Sequence, residues 1–351
     1  MTDQARVAIV LLFHGDYARK YLSACYASLR AQTYPLDLIT VYLVSNGVAE
    51  DDLKLVRQIA PTARLLRNTA DRGWSGGMNT GIREALNGDA RYLILLSVDT
   101  VLAPDWLSRL VESADAHGTL HILQSRILLH GSDKANSLGN RIHFLGFGYC
   151  HGYGQEHSAR PRAPVDYASG TAMLVKREVF ERIGLFREDY FVYYEDVEFC
   201  WRARIAGYNV GFVERSVCSH NYDFQKTLGC LEHLQRNRLL TLLTLEKVGT
   251  LVVIAPCLIV AELILSAYFL TKGWGSVQIK LAKFLIRPST WQAIRLRRQE
   301  IGRLRTRKDA EIVKTFAGHV AFPEINHPLL QYVGNPLLAA YWTLARLLIV
   351  W

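Results

Sequence analysis

The chain has 351 residues, half of them hydrophobic, which is enough for one large or two ordinary domains with a sizeable core. Its six cysteines are scattered without a Cys-x-x-Cys pair, which excludes a recognisable zinc site or disulfide framework and favours a reducing compartment. The whole net charge of +9 lies in residues 221–351, which carry 17 basic and 8 acidic side chains, and indicates an anionic membrane surface or, alternatively, nucleic acid.

Apolar runs and amphipathic segments alternate through the first 116 residues. The run at 7–13 is continuous, as a strand buried on both faces requires, and is too short for a signal peptide. Strands are predicted at 7–13, 39–44, 64–66 and 91–96, and helices at 18–32, 51–60, 75–87 and 104–116. This alternation predicts an α/β fold, a Rossmann-like, mostly parallel sheet with helices on both faces.

Polar residues follow each predicted strand. His14 comes after the first strand, Ser45 and Asn46 after the second, Asn68 after the third and Asp99 after the fourth. Ligands of such sheets bind beyond the carboxyl ends of the strands. We therefore predict the binding crevice at these residues.

A glycine-rich turn leads into the third helix at 73–81. Glycines at a helix start let backbone N–H groups approach a phosphate or sugar, so this turn is a candidate binding element. The spacing matches neither the dinucleotide fingerprint nor a P-loop. Close packing of helix on strand is the alternative.

An acidic cluster follows the aromatic segment 190–194. Glu195, Asp196 and Glu198 begin a predicted helix that ends near Gly207. A carboxylate in a first helical turn, shielded by aromatic rings, suits a general base that deprotonates a hydroxyl. The alternative is an ordinary acidic helix start. Trp201 and Arg202, on the same helix, are predicted to bind substrate.

Asp99 and His220 are candidate ligands of a divalent cation. Both follow predicted strands, and carboxylate oxygen and imidazole nitrogen suit Mg²⁺ or Mn²⁺. Each has an ordinary alternative, since aspartates often cap turns and single histidines are often structural.

Residues 226–351 form a predicted second domain, helical and membrane-associating, after a first domain at 1–225. The 23 residues 248–270 contain one charge, Glu262, and one proline, Pro256, and are long enough to cross a bilayer or to lie in its plane. Residues 295–308 contain seven basic side chains, which indicates a cytoplasmic, lipid-facing segment. An apolar end helix is predicted at 336–351.

Taken together in chain order, these motifs resemble those of family 2 inverting glycosyltransferases, particularly bacterial rhamnosyltransferase-like members with the GT-A fold. The matching pieces are 7–13, 45–47, Asn68 with 73–81, 95–100, 169–173, 195–200 and 217–220. The resemblance covers about residues 1–245 well and the remainder more loosely.

The resemblance implies a role for each matched residue. Asp196 is implied as the catalytic base, with Glu195 orienting it or touching the acceptor, and Asp99 and His220 as the metal ligands. Asn68, Gly76, Gly77 and Asn79 lie where the family holds the nucleotide-sugar. The acceptor side is implied to be lined by Ser169, Gly170 and Thr171. Two departures are that Ser97 and Ser45 stand where the family usually has aspartates.

The implied reaction transfers a sugar with inversion from a nucleotide-diphospho-sugar, with dTDP-rhamnose preferred, to a lipid-linked or cell-surface glycan at the cytoplasmic face of the inner membrane. A nucleotidyltransferase would need a basic glycine-rich loop after the first strand, which His14 and its neighbours do not form. A nucleic-acid-binding protein is disfavoured, because the basic residues alternate with apolar runs. A catalytically impaired membrane scaffold is the third alternative, for which Ser97 and Ser45 are the arguments.

Overall fold

A computed structural model describes residues 4–159, 164–223, 229–321 and 328–351. By their internal contacts the residues divide into two compact units. The first comprises 1–140, 150–200 and 208–222, and the second comprises 141–149, 201–207 and 223–351. The predicted boundary between residues 225 and 226 lies outside the described residues and stays a prediction. The second unit also includes two short segments from within the predicted first domain.

The first unit is built on a large mixed sheet. The strands, in chain order, are β1 (Val7–His14), β2 (Ile39–Asn46), β3 (Arg64–Asn68), β4 (Tyr92–Ser97), β5 (Thr100–Leu102), β6 (Ile122–Leu129), β7 (Ala135–Ser137), β8 (Asn140–Ile142), β9 (Gly148–Cys150), β10 (Ala172–Lys176) and β11 (Val210–His220). Within the described ranges, nine of them form one sheet in the order β3-β2-β1-β4-β10-β6-β11-β5, with β7 beside β6, while β8 and β9 pair separately.

The parallel part of the sheet is the part that the sequence predicts. β3, β2, β1 and β4 run parallel to one another, and β1 is buried from Val7 to Phe13. β10 lies antiparallel between β4 and β6, whereas β6 and β11 are again parallel. The polar residues after β1, β2 and β4 therefore lie at one edge of the sheet, as expected for parallel neighbours.

Helices connect the strands of the first unit. They are α1 (Ser23–Arg30), α2 (Glu50–Ile59), α3 (Gly73–Leu86), α4 (Trp106–Ala116), α5 (Arg177–Ile183) and α6 (Glu195–Ile205), whose residues from Trp201 onward belong to the second unit. The starts and ends of the predicted helices agree with these to within a few residues, apart from the first, where residues 18–22 form a separate, wider turn.

Two glycines let α3 approach the sheet closely. A Cβ atom at Gly77 would lie 2.4 Å from Leu12 Cδ1, and one at Gly81 would lie 2.3 Å from Val10 Cγ1 and 3.0 Å from Val44 Cγ2. Such distances are far below van der Waals contact. The glycine spacing in this helix is therefore explained by packing, which was the alternative to substrate binding.

The second unit is mainly helical. Its remaining helices are α7 (Leu231–Leu245), α8 (Val248–Thr271), α9 (Gly275–Leu285), α10 (Pro288–Leu304), α11 (Asp309–Val313) and α12 (Asn335–Ala345). Within the described ranges, α8 is the one helix long and apolar enough to cross a membrane, and 11% of its most apolar stretch is buried. Length and composition alone are weak support for a span, because core helices of soluble proteins can pass the same test.

The single charge of α8 is neutralised inside the second unit. Glu262 accepts a hydrogen bond from the guanidinium of Arg238, which is 1% exposed. Arg238 also donates to the carbonyl of Leu145 at 2.9 Å and lies over the ring of Phe147, 4.3 Å from its centroid. Glu262 thus has a structural partner that explains a carboxylate in an apolar helix.

The basic segment 295–308 is only partly available to lipid, which corrects the prediction. Arg298 donates to the carbonyls of Leu243 and Glu246, both at 2.7 Å, and Arg305 donates to the carbonyl of Leu245 at 2.5 Å. These bonds satisfy the carbonyl groups that the end of α7 leaves unpaired. Among the seven basic side chains, Arg295, Arg303 and Lys308 are exposed.

We expect Gly81→Ala to lower the free energy of unfolding by about 1–3 kcal/mol, because the added methyl group overlaps Val10 and Val44 in a packed core. Chemical denaturation followed by circular dichroism measures this loss. Gly118→Ala is the matched control, since its Cβ meets nothing within 4 Å. Equal stability of the two variants would contradict this account of how α3 packs.

Candidate active site

Asn46, at the end of β2, holds the loop that leads into α3. Its Nδ2 donates to Asp71 Oδ1 at 2.5 Å and to the carbonyl of Gly73 at 3.0 Å, and its Oδ1 accepts from the N–H of Arg72 at 3.1 Å. Asn68 donates to the same Oδ1 at 3.3 Å. Both asparagines are nearly buried, so they shape the edge of the crevice through this loop. Asp71, which the sequence analysis missed, anchors the loop through the N–H of Gly73 as well.

Asn79 binds other parts of the protein, and its predicted contact with substrate stays a prediction. Its side chain is 1% exposed and donates to the carbonyl of Phe186 at 2.9 Å and to Glu188 Oε1 at 3.2 Å. It also accepts from the N–H of Phe186 at 3.1 Å. Because these bonds use its amide, Asn79 fixes the segment before the acidic helix. Gly76 and Gly77 are also buried within α3, and their predicted contact with substrate stays a prediction.

Glu188 is a second residue that sequence reasoning missed. Its carboxylate contacts Arg72 at 2.7 Å and Arg83 at 2.6 Å, in addition to Asn79. Burial opposes ionisation of Glu188, but hydrogen bonds from Arg83 and Asn79 and the positive charge of Arg72 outweigh it and lower the pKa. No sequence signal identified this role, since its partners lie more than a hundred positions earlier.

The two other predicted residues at this edge differ in accessibility. His14 is exposed and stacks on Tyr17, with ring centroids 4.5 Å apart. Ser45 is 0% exposed, and its hydroxyl has no hydrogen-bond partner in the described part of the chain. His14 is therefore accessible in this conformation, whereas Ser45 is enclosed, and the predicted substrate contacts of both residues stay predictions.

Asp99 and His220 are brought together from the ends of β4 and β11. His220 Nε2 lies 3.4 Å from Asp99 Oδ1, and His220 Nδ1 lies 3.0 Å from Asn136 Oδ1. The hydroxyl of Ser97 donates to Asp99 Oδ1. Burial alone would raise the pKa of Asp99, but the hydrogen bond and charge of His220, together with Ser97, lower it below its ordinary value. Asp99 is thus kept ionised at neutral pH.

Asp99 and His220 fit a divalent cation that takes most of its ligands from a substrate. An ionised carboxylate is a hard oxygen ligand that Mg²⁺ and Mn²⁺ both accept, imidazole nitrogen suits Mn²⁺ better, and Mg²⁺ sites typically use one or two carboxylates plus phosphate oxygens. Across the described residues, no group of three or more His, Cys, Asp and Glu side chains could hold a metal. The pair alone would make an incomplete site that a diphosphate completes.

The loop 169–171 connects this pair to the acidic helix. The carbonyl of Thr171 accepts from the N–H of Ser97 at 2.9 Å, and the N–H of Gly170 donates to Asp196 Oδ2 at 3.2 Å. The hydroxyl of Ser169 donates to the hydroxyl of Thr171 at 3.1 Å, which fixes the turn. The structure therefore places the predicted acceptor-side loop next to the predicted base.

Asp196 and Glu195 are poorly solvated carboxyl groups. Burial raises the pKa of Asp196 to about 6, although the N–H groups of Gly170 and Val197 act in the opposite direction. Burial and the negative charge of Asp196 raise the pKa of Glu195 well above the ordinary glutamate value. Glu195 Oε2 is buried and has no hydrogen-bond partner among the residues described. A carboxylate with a pKa near 6 is suited to proton transfer near neutral pH.

A strained aromatic segment presents this helix. Phe191, Tyr193 and Tyr194 have φ values of 62°, 65° and 71°. Residues other than glycine seldom adopt this region of backbone conformation. The carbonyl of Phe191 accepts from the N–H of Ser75 at 3.1 Å. A Cβ atom at Gly73 would lie 2.3 Å from that carbonyl oxygen, so only glycine fits there. Strain of this kind persists where surrounding contacts fix it, often at functional sites.

Trp201 and Arg202 are buried in this conformation, and their role in substrate binding stays a prediction. Trp201 is 0% exposed and its ring packs edge-on against Phe316, with centroids 4.7 Å apart, while Arg202 is 1% exposed. Both belong to the second unit. Helical periodicity identified Trp201 as an apolar position, and its packing accounts for that pattern.

Comparison of the sequence with protein families identifies the family to which this site belongs. The profile described as "Glycosyl transferase family 2" matches residues 8–184, just over half of the chain. The chain belongs to glycosyl transferase family 2. This match confirms the predicted family and its glycosyltransferase class.

The chain is similar in sequence to two glycosyltransferases. It is 32% identical over 166 residues to the low-salt glycan biosynthesis hexosyltransferase Agl10 of Haloferax volcanii, a match that covers 45% of the chain and only about half (51%) of the relative. It is 27% identical over 242 residues to the N-acetylglucosaminyl-diphospho-decaprenol L-rhamnosyltransferase of Mycobacterium tuberculosis, covering 63% of the chain and 77% of the relative.

Solved structures agree on the fold of this family 2 chain. GalNAc-T7 with UDP, GalNAc and Mn²⁺ matches 70% of the chain and 48% of its own length, with a TM-score of 0.55 and 16% identity. Mannosyltransferase PcManGT of Pyrobaculum calidifontis with GDP-Man and Mn²⁺ matches 100% of the chain and 88% of its own, with a TM-score of 0.51 and 16% identity. The fold is therefore GT-A, as the sequence resemblance implies.

The two aspartates should affect stability in opposite directions at neutral pH. Because the folded-state pKa of Asp196 is raised to about 6, its contribution to stability is lost as pH rises from about 4, the ordinary aspartate value, through 6. Asp196→Asn should then raise the thermal midpoint at pH 7.5 and change it little near pH 4.

Asp99, whose pKa is lowered, stabilises the fold above its unfolded-state pKa, and this stability is lost as pH falls through the lower folded value. Asp99→Asn should therefore lower the thermal midpoint at pH 7.5. Differential scanning fluorimetry between pH 4 and 8 measures the thermal midpoints of both variants and of the wild type. Shifts of the same sign at pH 7.5 would contradict the assignment of the two environments.

Proposed function

We propose that the protein transfers a sugar, with inversion, from a nucleotide-diphospho-sugar to a hydroxyl group of a glycan acceptor. The observation that carries this proposal is the pair of carboxylates in opposite environments: Asp99 beside His220, with a lowered pKa, and Asp196 in a poorly solvated turn, with a raised pKa. Environments that separate the pKa values of two acidic groups are how proteins assign them different tasks.

Asp196 is the proposed base. Its carboxylate takes the proton of the acceptor hydroxyl, whose oxygen attacks the anomeric carbon on the face opposite the leaving diphosphate. A single base and no covalent nucleophile suffice for one displacement with inversion. The N–H groups of Gly170 and Val197 hold the carboxylate in place, at 3.2 and 2.8 Å. Ser169 and Thr171 are proposed to line the acceptor side.

Asp99 and His220 are the proposed ligands of a divalent cation, Mg²⁺ or Mn²⁺. When bound, the cation would act as a Lewis acid and neutralise negative charge on the leaving diphosphate. The two structural neighbours contain Mn²⁺ together with UDP or GDP-Man, which supports this proposal. Ser97 contributes by donating its hydroxyl hydrogen to Asp99, so the serine substitutes for an aspartate without adding charge.

The proposed donor is dTDP-rhamnose and the proposed acceptor a lipid-linked or cell-surface glycan. The relative from Mycobacterium tuberculosis supports both choices, because its name specifies an L-rhamnosyl group and a diphospho-decaprenol-linked sugar. Rhamnose is placed on the acceptor by the same single displacement.

In addition to the transfer reaction, we propose that the second unit associates with a membrane surface. Val252, Leu263 and Ile264 on α8 are 66%, 66% and 64% exposed, and Leu337 and Leu344 on α12 are 66% and 68% exposed. Exposed large apolar side chains on both helices support an interaction with lipid. We place the protein at the cytoplasmic face of the cell membrane, either in its plane or with one short span.

Calorimetric binding of UDP, dTDP and GDP to the detergent-solubilised protein, with and without Mn²⁺, tests the donor site. We expect one of the three to bind, dTDP on the present proposal, and only with the metal. Asp99→Ala should abolish this binding, and Asp133→Ala, which changes an exposed aspartate, should not. Absence of binding for all three nucleotides would contradict the proposed metal-assisted transfer.

Asp196→Asn should lower kcat by about 10²–10⁴-fold, the usual contribution of a general base, and leave nucleotide binding unchanged. Glu84→Gln is the matched control, because Glu84 is exposed on α3 and forms no ion pair within the described residues. Turnover is measured by release of the nucleoside diphosphate in the presence of acceptor. Full turnover by Asp196→Asn would contradict the assignment of Asp196 as the base. An Asp196→Asn variant that keeps full cellular function would favour the alternative that the protein is a membrane scaffold.

A further inference from the structure

The second unit contains an open groove of about 530 Å³. It lies among the end of α7, the start of α8 and the middle of α10, and it is lined by Leu243, Val248, Leu251 and Trp291, with Arg295 and Arg298. The volume falls within the range of about 300–1,000 Å³ that small-molecule sites occupy. Nothing in the proposed transfer reaction uses these residues.

The groove has an apolar lining that is open to solvent. Val248 is 63% exposed and Trp291 is 50% exposed, while Leu243 and Leu251 are half-buried along its length. The indole Nε1–H of Trp291 donates to the carbonyl of Leu285 at 2.7 Å, which fixes the orientation of the ring. A fixed indole beside aliphatic side chains is a surface that binds hydrocarbon.

Two guanidinium groups are part of the same groove. Arg298 is held by its bonds to the carbonyls of Leu243 and Glu246, both of which use its Nη1. Its other nitrogens make no hydrogen bond within the described part of the chain. Arg295, one turn earlier on α10, is exposed and has no ion-pair partner there either. Together they offer donors in the planar geometry that matches phosphate oxygens.

From this combination we infer that the groove is a site for one anionic phospholipid, with part of an acyl chain along the apolar lining and the phosphate at Arg295 and Arg298. A free phosphate would leave the apolar lining unused, and an uncharged hydrocarbon would leave the arginines unused. A phospholipid uses both. The inference draws on the proposed membrane association for the source of the lipid and does not depend on the transferase chemistry.

Native mass spectrometry measures lipid binding to the detergent-solubilised full chain. The protein is titrated with phosphatidylglycerol or with phosphatidylcholine of equal chain length. We expect one phosphatidylglycerol to bind in preference to phosphatidylcholine. Arg295→Gln should weaken phosphatidylglycerol binding about fivefold, the effect of removing one cationic side chain near an anionic lipid, and reduce the preference. Arg303→Gln is the matched control, since Arg303 is exposed on the same helix and outside the groove.

The apolar half of the site has its own pair of variants. Val248→Gln should weaken the binding of both lipids, whereas Ile279→Gln should not, because Ile279 on α9 is similarly exposed, at 59% against 63% for Val248, but does not line the groove. Both positions are at the surface, so neither substitution should unfold the unit.

Three results would overturn the inference: equal binding of the two lipids, equal effects of the Arg295 and Arg303 variants, or displacement of the lipid by millimolar inorganic phosphate. Flotation of the wild-type protein with vesicles that contain phosphatidylglycerol reports membrane association separately. A protein that floats but shows no lipid preference would retain the proposed membrane association and lose the groove site. The nucleotide calorimetry reports the transferase site independently of both.

Discussion

The candidate site depends on one backbone hydrogen bond, from the N–H of Ser75 to the carbonyl of Phe191. It joins the start of α3 to the strained segment that precedes α6. Gly73 makes the bond possible, because any side chain there would collide with the Phe191 carbonyl. With the segment fixed in this way, α6 begins where the N–H of Gly170 can reach Asp196. The glycine-rich turn therefore serves the site by letting the segment around Phe191 pack against it. The N–H of Ser75 binds the Phe191 carbonyl in this arrangement.

Two aspartates of the same intrinsic acidity acquire different properties in this setting. Asp99 is nearly buried, but His220 and Ser97 stabilise its charge, so its pKa is lowered. Asp196 accepts two backbone N–H bonds, and these offset only part of the loss of solvation, so its pKa is raised. Burial and the charge of Asp196 in turn raise the pKa of the neighbouring Glu195. Asp99 has His220 as a side-chain partner and Asp196 has, among the described residues, only backbone N–H groups, which explains why one environment favours the charged carboxylate and the other favours proton transfer.

The second unit uses its positive charge in two ways. Arg238 and Arg305 are internal and bind carbonyl and carboxylate oxygens, where they replace water that the helix ends would otherwise need. Arg295 remains at the surface next to apolar side chains. A basic stretch in a sequence thus contains structural and surface residues in alternation, because a helix turns successive side chains to different sides. Only the surface residues are available to a membrane.

The sequence by itself determined the alternation of strand and helix, the positions of the strand ends and the start of the acidic helix, because these depend on local periodicity and on residues close together in the chain. It also predicted roles for Asp99, His220 and Asp196 through the order of motifs, and the structure shows which groups surround them. Only the tertiary structure decided what each polar side chain contacts. Asn79 turned to Phe186 and Glu188, more than a hundred positions away, and Trp201 became fully buried. Periodicity specifies the face of a helix on which a residue lies, but the neighbour of that face is set by packing between distant segments.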